Sequence, residues 1–290
     1  MKIKSFSKIK HRIPVQLTQK EFDEFICGAI PKPTRGPKAK VSRYKVFNYI
    51  LKLLYTGCQW KELPIDCDKS GKPEISPTRV FKLFKKWLHN GFFEKIFGES
   101  VQRLLEERRL DTSVIHGDGT TTAGKKGGDT IGRNGHKKIK GEKVVAFVDR
   151  LCNVLCPFTT AAGNVSEMTL LPQALEDLKG FCKKIGLSLK GVIASFDSGY
   201  DSKFNRKRLF NAGLIPNIKE NRRGRKKLKR GRKRLYSEEI FQERFKTVER
   251  VFAWEDKFKR LLIRFERISF HHFGLKLLAY TMINLRHFCM

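Results

Sequence analysis

Three carboxylates occupy positions where a fold could bring their oxygen atoms together. Asp118 follows the short apolar run Val-Ile-His-Gly, and Asp197 follows the apolar run Val-Ile-Ala-Ser-Phe. Glu249 lies inside a long helical pattern, Arg-Phe-Lys-Thr-Val-Glu-Arg-Val-Phe-Ala-Trp. One acid at the end of each of two strands, with a third on a later helix, can supply the oxygen ligands that hard cations prefer. The pattern therefore predicts a site for a pair of metal ions.

The two aspartates also have structural interpretations that the sequence leaves open. Asp118 lies between two glycines, and Asp-Gly is a common turn dipeptide. Asp197 stands at a strand-to-helix junction, where aspartate often caps a helix. Asp201, four residues later, is a competing ligand and the better candidate for that cap.

Glu249 has a competing role on its helix surface, where it can pair with Lys246 or Arg250. Against this pairing, Phe245 and Ala253 lie one helical turn on either side of Glu249. That spacing predicts that Glu249 sits on the apolar shoulder of the helix, where an unpaired carboxylate is costly.

Two further side chains allow either a functional or a packing interpretation. His116 lies on the same strand face as Asp118, where it could tune a metal site or simply belong to the core. Trp254 could stack on an extruded base, but Val251 and Phe258 share its helical face. The sequence favours core packing for both.

The charge balance indicates the class of partner. Lys and Arg outnumber Asp and Glu by 61 to 29, for a net charge of +32, which favours nucleic acid or an anionic membrane surface. No apolar stretch approaches the roughly 20 residues that span a bilayer, and the N-terminus lacks a signal-like apolar region. We therefore expect a cytoplasmic, nucleoid-associated protein. The seven scattered cysteines predict neither a disulfide framework nor a zinc site.

Residues 1–110 are predicted to form a helical N-terminal DNA-binding domain. A capping box begins at Thr18, and further helices are predicted after Ser42 and after Ser76. One face of the third helix is basic. Two helices with one basic face are typical of helix-turn-helix DNA readers, although the connecting loop is longer than the usual short turn. The alternative is an ordinary amphipathic helix with solvated lysines.

Residues 111–290 are predicted to form an α/β domain. Apolar runs predict strands at 114–118, 143–149, 154–160, 191–196 and 214–218. Helices are predicted after a cap at Ser166 or Thr169, at 202–211 and at 238–259. Three strands, a helix, and then alternating strands and helices is the order of an RNase H-like mixed sheet flanked by helices.

Basic side chains beyond the N-terminal region are concentrated in two loops, 125–140 and 222–234, and ten of the thirteen residues in the second are Lys or Arg. So many adjacent cations favour phosphate neutralisation over a solvated loop. The predicted DNA contacts are Arg79, Lys82, Lys85, Lys86, Lys137, Lys138, Arg222, Arg223, Arg225, Lys226, Lys227, Lys229, Arg230, Arg232, Lys233, Arg234, Arg250 and Lys257.

Nearly the whole chain resembles bacterial insertion-sequence DDE transposases of the insertion-sequence family five group. The segments that carry the resemblance are Tyr55-Thr-Gly-Cys-Gln-Trp60 with Leu63-Pro64, His116-Gly-Asp118-Gly-Thr120, Asp197-Ser-Gly-Tyr-Asp201, Glu249-Arg-Val-Phe-Ala-Trp254 and Thr281-Met-Ile-Asn-Leu-Arg286. The family usually has three residues between its arginine and its last acid, and six between that acid and its lysine. Here four residues separate Arg244 from Glu249, and the lysine falls at Lys257.

The resemblance implies that Asp118, Asp197 and Glu249 bind two Mg²⁺ ions, for which Mn²⁺ can substitute. It implies cleavage of element ends and transfer of the 3′-hydroxyl strand to target DNA. The implied partners are double-stranded DNA and a second copy of the chain, with no membrane and no small-molecule substrate. Two alternatives stay open at this point: a metal-dependent nuclease of the same fold, and a catalytically inactive DNA-binding protein such as a decayed transposase or a repressor.

Overall fold

The computed structural model describes residues 12–31, 40–135, 138–221 and 234–289. Its helices are α1 (Gln19–Phe25), α2 (Arg43–Thr56), α3 (Pro77–His89), α4 (Phe92–Glu106), α5 (Glu167–Lys184), α6 (Lys203–Asn211), α7 (Glu238–Glu243), α8 (Val248–Glu255) and α9 (Ser269–Leu285). Its strands are β1 (Val114–Gly124), β2 (Gly132–Asn134), β3 (Ile139–Asp149), β4 (Thr159–Ala162), β5 (Ile193–Phe196), β6 (Ile215–Ile218) and β7 (Ile263–Arg264).

Local caps explain where the N-terminal helices begin and end. Thr18 and Glu21 form the predicted capping box at the start of α1. The hydroxyls of Ser42 and Ser76 accept hydrogen bonds from backbone amides in the first turns of α2 and α3. At the end of α2, Gly57 adopts a left-handed conformation with φ of 74°, which favours glycine. The predicted all-helical N-terminal region is confirmed.

One mixed sheet organises the rest of the chain. Its path runs β2-β3-β1-β5-β6, while β4 also pairs with β3 and β7 also pairs with β1. Strand β1 is antiparallel to β3 and parallel to β5, and β5 is parallel to β6. Helix α5 connects the antiparallel part to the parallel part, as a crossover between strands requires. The predicted RNase H-like α/β class is confirmed.

Several predicted elements differ from the observed ones. The strand expected at 154–160 is regular only from Thr159, because Pro157 has no amide hydrogen to donate; Val154 makes just an isolated bridge to Val148. Strand β2 lies in the segment that was expected to be a basic loop. The single helix expected at 238–259 is two helices, α7 and α8, separated by a 3₁₀ turn and by Thr247.

The two faces of the sheet belong to different clusters of apolar side chains. Val144 and Val148 pack with helices α2 to α4 and with α9. Val145 and Phe147, which alternate with them along β3, pack with α5, β5 and β6 on the opposite face. The N-terminal helices therefore share a core with the sheet, and the division into domains at residue 110 stays a prediction. Among the described helices, none is long and apolar enough to cross a membrane.

Candidate active site

The parallel pairing of β1 with β5 places two of the three acids next to each other. The register pairs Val114 with Ile193 and His116 with Ser195, where the ladder ends. Asp118 and Asp197 each lie two residues beyond this last pair. Since adjacent strands lie about 5 Å apart, the two aspartates are neighbours at the point where the β1–β5 pairing ends.

The third acid, Glu249, lies on a helix beside a gap in the sheet next to β1. Beyond His116, β1 has no strand partner on its β5 side until Ala123 pairs with Ile263 of β7, as far as the described residues show. Helix α8 packs over this stretch of β1. Glu249 of α8 lines a cavity of about 260 Å³ together with residues 120–122 of β1.

Asp118 is the electrostatic centre of the group. Its side chain is only 13% exposed. Burial raises the pKa of its carboxyl to about 7, although the nearby charge of Arg244 and the backbone amide of Gly119 act to lower it. The negative charges of Asp197 and Glu249 also act to raise the pKa of Asp118, so each of these two acids is near enough to interact with Asp118.

Arg244 forms an ion pair with Asp118, one of the three acids. Its Nη2 lies 2.7 Å from Oδ2 of Asp118, and only 6% of the arginine side chain is exposed. The arginine comes from the 3₁₀ turn that follows α7, and the backbone of Thr247 (φ −121°, ψ −89°) separates this turn from α8. Local sequence periodicity does not reveal this contact, because it predicts a continuous helix over 238–259.

The glycines around Asp118 are explained by packing rather than by a turn. A Cβ atom at Gly117 would lie 2.1 Å from the Phe196 ring, and one at Gly119 would lie 2.7 Å from the carboxyl carbon of Glu167. Asp118 itself is paired with Ala146 in the middle of a β1–β3 ladder. The alternative interpretation of Asp118 as a turn residue is therefore wrong.

Asp197 and the neighbouring acid Asp201 have different local roles. Asp197 accepts a hydrogen bond of 2.7 Å from the Gly199 amide, so it caps the short 3₁₀ turn that follows β5. Asp201 is instead buried in ion pairs with Arg206 and Arg234, each at 2.7 Å. Ser202, rather than Asp201, caps α6.

Glu249 is exposed, which contradicts the expectation that it sits on an apolar shoulder. The expectation relied on Phe245, but this ring is 60% exposed, because the break at Thr247 removes it from the face of α8. Within the described residues, Glu249 makes no ion pair with Lys246 or Arg250. The Glu249 side chain is therefore accessible from solvent.

His116 and Trp254 are both packing residues in this structure. His116 is fully buried, and burial lowers the pKa of its imidazole to about 4, so the ring is neutral near pH 7. Its Nε2 lies 3.5 Å from Glu243, and no hydrogen-bond partner for either ring nitrogen is found among the described residues. Trp254 packs on the core, with the Arg286 guanidinium 4.8 Å from its ring.

The sequence profile of the family described as "Transposase DDE domain" matches residues 108–282, more than half of the chain. The chain belongs to this family. The match contains all three acids. No curated protein matches the chain.

Structures of the Mos1 transposase are similar to this DDE-family chain at low identity. A paired-end complex with the left transposon end is 12% identical, covers 64% of this chain and 61% of its own, and has a TM-score of 0.27. A pre-cleavage Mos1 transpososome is 12% identical over 87% of this chain and 80% of the Mos1 chain, with a TM-score of 0.28. A Mos1 mariner paired end complex with Mn is 11% identical over 91% of this chain and 85% of the Mos1 chain, with a TM-score of 0.26.

The predicted DNA contacts of this DDE-family chain differ in how freely their charges face solvent. Exposed cations are Arg79, Lys82, Lys86, Lys138 and Arg250. Lys85 is half-buried against the Phe81 ring. Arg234 is paired with Asp201, and Lys257 is half-buried with its Nζ donating to the Ile13 carbonyl at 3.4 Å. Lys137 and residues 222–233 lie outside the described residues.

The three acids suit a hard cation in chemistry but do not enclose one in this arrangement. All three offer carboxylate oxygens, the donors that Mg²⁺ and Mn²⁺ prefer. Yet no group of three or more His, Cys, Asp or Glu side chains in the described ranges is close enough to hold a metal ion. The guanidinium of Arg244 lies against Asp118 instead.

Proposed function

We propose that this chain is a DNA transposase of the insertion-sequence family five group, which cleaves element ends and joins the 3′-hydroxyl strand to target DNA. The main support is the β1–β5 register, which places Asp118 beside Asp197 at the gap that Glu249 faces. A chain of net charge +32 that keeps three acids together there is suited to cutting a polyanion.

Asp118, Asp197 and Glu249 would hold two Mg²⁺ or Mn²⁺ ions. When bound, such ions lower the pKa of an attacking water and stabilise the leaving oxygen of a phosphodiester. A related structure, the Mos1 mariner paired end complex, is described as containing Mn. In this chain the Gly199 amide orients Asp197, the β1–β3 ladder fixes Asp118, and α8 presents Glu249 from the opposite side of the gap.

The proposed partners are double-stranded DNA and a second copy of this chain. Two of the similar structures are described as paired-end complexes of Mos1 transposase, which supports an assembly that joins two DNA ends. The decisive assay incubates the full chain with DNA from the ends flanking its gene, a supercoiled target plasmid and Mg²⁺. Cleaved and joined products support transposition. Cleavage without joining would favour a nuclease, and binding without either reaction would favour an inactive DNA-binding protein.

Helix α3 is proposed to contact DNA phosphates through its exposed basic face. Replacing Arg79, Lys82 and Lys86 with glutamine in the full chain should weaken binding to element ends by at least about tenfold. Each phosphate contact contributes about 0.9 to the slope of log affinity against log salt, so the slope should fall by roughly 2–3. The measurement is fluorescence anisotropy at several salt concentrations.

The control removes the same charge elsewhere. Lys183, Lys184 and Lys190 are exposed on α5 and the loop after it. Their replacement with glutamine should leave the slope nearly unchanged if contact with DNA, rather than net charge, matters. Equal losses from both triple variants would remove α3 from the DNA interface.

The run 222–234 is proposed to hold DNA through phosphates near the candidate site. Asp201, four residues after Asp197, holds both ends of this run. Its carboxylate accepts a 2.9 Å hydrogen bond from the backbone amide of Asn221 and forms an ion pair with Arg234. The run offers charge without aromatic rings. Replacing five of its cations with glutamine should reduce the salt slope by roughly 2–4, with similar losses for element ends and random DNA. A loss confined to element ends would instead show that the run recognises sequence.

A further inference from the structure

Arg244 forms an ion pair with Asp118, the most buried acid of the candidate site. The pair joins Nη2 of Arg244 to Oδ2 of Asp118 at 2.7 Å, with 6% and 13% of the two side chains exposed. A buried carboxylate needs a positive partner, and here the partner is a guanidinium. A divalent cation placed on the same oxygen would be repelled by this charge at close range, so the two cations would compete for Asp118.

The arginine is held in place by its neighbour in the chain. Glu243 accepts a 2.9 Å hydrogen bond from Nε of Arg150, which follows β3, as part of a two-point ion pair, and it lies 3.5 Å from His116 of β1. These contacts attach the end of α7 to the sheet. The break at Thr247 separates this attachment from α8. Arg244 can therefore change its partner without moving the helix that carries Glu249.

The guanidinium is not fully satisfied in this position. Its Nε is buried and has no hydrogen-bond acceptor among the described residues. An arginine with a donor to spare gains most from an anion that accepts two parallel hydrogen bonds, and a phosphate group is such an anion. Arg244 lies beside the acids at which a DNA phosphate would be cut.

We propose that Arg244 is a positioning residue that competes with metal for Asp118 in the DNA-free protein. Binding of DNA transfers its guanidinium to a phosphate and so opens Asp118 to a divalent cation. This inference rests on the proposed function, because it takes Asp118 as a metal ligand and DNA as the substrate. Since coupling between two ligands is reciprocal, DNA should raise metal affinity and metal should raise DNA affinity.

The test measures Mn²⁺ binding to the full chain without DNA, by electron paramagnetic resonance of the free ion. The variant Arg244→Gln should bind Mn²⁺ at least about tenfold more tightly than the wild type, because the competing cation is gone. Adding an uncleavable end duplex should tighten Mn²⁺ binding by the wild type clearly more than by Arg244→Gln. Thermal melting of each protein shows that the comparison is between folded chains, and Arg244→Lys provides a second variant that keeps the charge but not the planar fork.

Two controls identify the source of the effect. Arg206→Gln removes a matched arginine from the Asp201 ion pair, which retains Arg234, and should leave Mn²⁺ affinity unchanged. Asp118→Asn added to Arg244→Gln should abolish the gain. Equal Mn²⁺ affinity of the wild type and Arg244→Gln, with cleavage still supported by Mn²⁺, would overturn the competition and leave the proposed function standing. Absence of both Mn²⁺ binding and cleavage in every variant would overturn both.

Discussion

Replacing Asp118 or Asp197 with asparagine, or Glu249 with glutamine, should each reduce DNA cleavage by at least about a thousandfold, because a neutral amide cannot replace a carboxylate as a ligand of a hard cation. Each substitution keeps the size of the side chain. Binding of end DNA should change little, since phosphate contacts by basic residues supply most of that affinity. The measurements are single-turnover cleavage of labelled end DNA and anisotropy in the absence of metal.

Asp201 supplies the control, because it is an acid in the same motif with a structural role. Its carboxylate holds Arg206, Arg234 and the amide of Asn221. Asp201→Asn should lower the melting temperature, while the folded protein keeps most of its cleavage rate. If Asp201→Asn is as damaging to cleavage as Asp197→Asn at an unchanged melting temperature, Asp201 is the ligand and the proposed triad is wrong.

The short apolar runs predicted the strands that carry Asp118 and Asp197, since such runs indicate buried strands. Asp197 directly follows β5 as predicted, but Asp118 lies inside β1, which continues to Gly124 beyond the predicted end at residue 118. What the pattern does not contain is the order of strands. The pairing of β1 with β5, which are 79 residues apart at His116 and Ser195, depends on tertiary packing. Register is set by long-range contacts that local periodicity cannot reveal.

The helix break before α8 is a second feature that local periodicity does not reveal. Residues 238–259 have a continuous helical pattern, and Thr247 is only mildly unfavourable inside a helix. In the folded chain the Thr247 hydroxyl donates to the Glu243 carbonyl at 2.8 Å, while Arg244 is drawn to Asp118 and Glu243 to Arg150. Those ion pairs join segments about a hundred residues apart, so the sequence could not show that they interrupt the helix.

Helix α8 has a second acid, Glu255, which is buried, whereas Glu249 is exposed. Its carboxylate is almost completely buried and accepts hydrogen bonds from the ammonium group of Lys276 and the hydroxyl of Tyr280, both on α9. Lys276 is 1% exposed. This pair fixes α8 against α9, and α8 in turn presents Glu249 to the gap in the sheet.

Glu255→Ala should therefore destabilise the protein by about 3–5 kcal/mol, because it leaves the ammonium group of Lys276 buried without a counter-ion. Urea denaturation followed by tryptophan fluorescence measures the free energy of unfolding. The double variant Glu255→Leu with Lys276→Met should recover most of that loss, since apolar groups of similar volume can replace a buried ion pair. If the double variant is fully stable but cleaves DNA poorly, the ion pair positions Glu249 in addition to stabilising the fold. A loss below about 1 kcal/mol for Glu255→Ala would mean that water reaches Lys276, and that α8 is held by its apolar contacts alone.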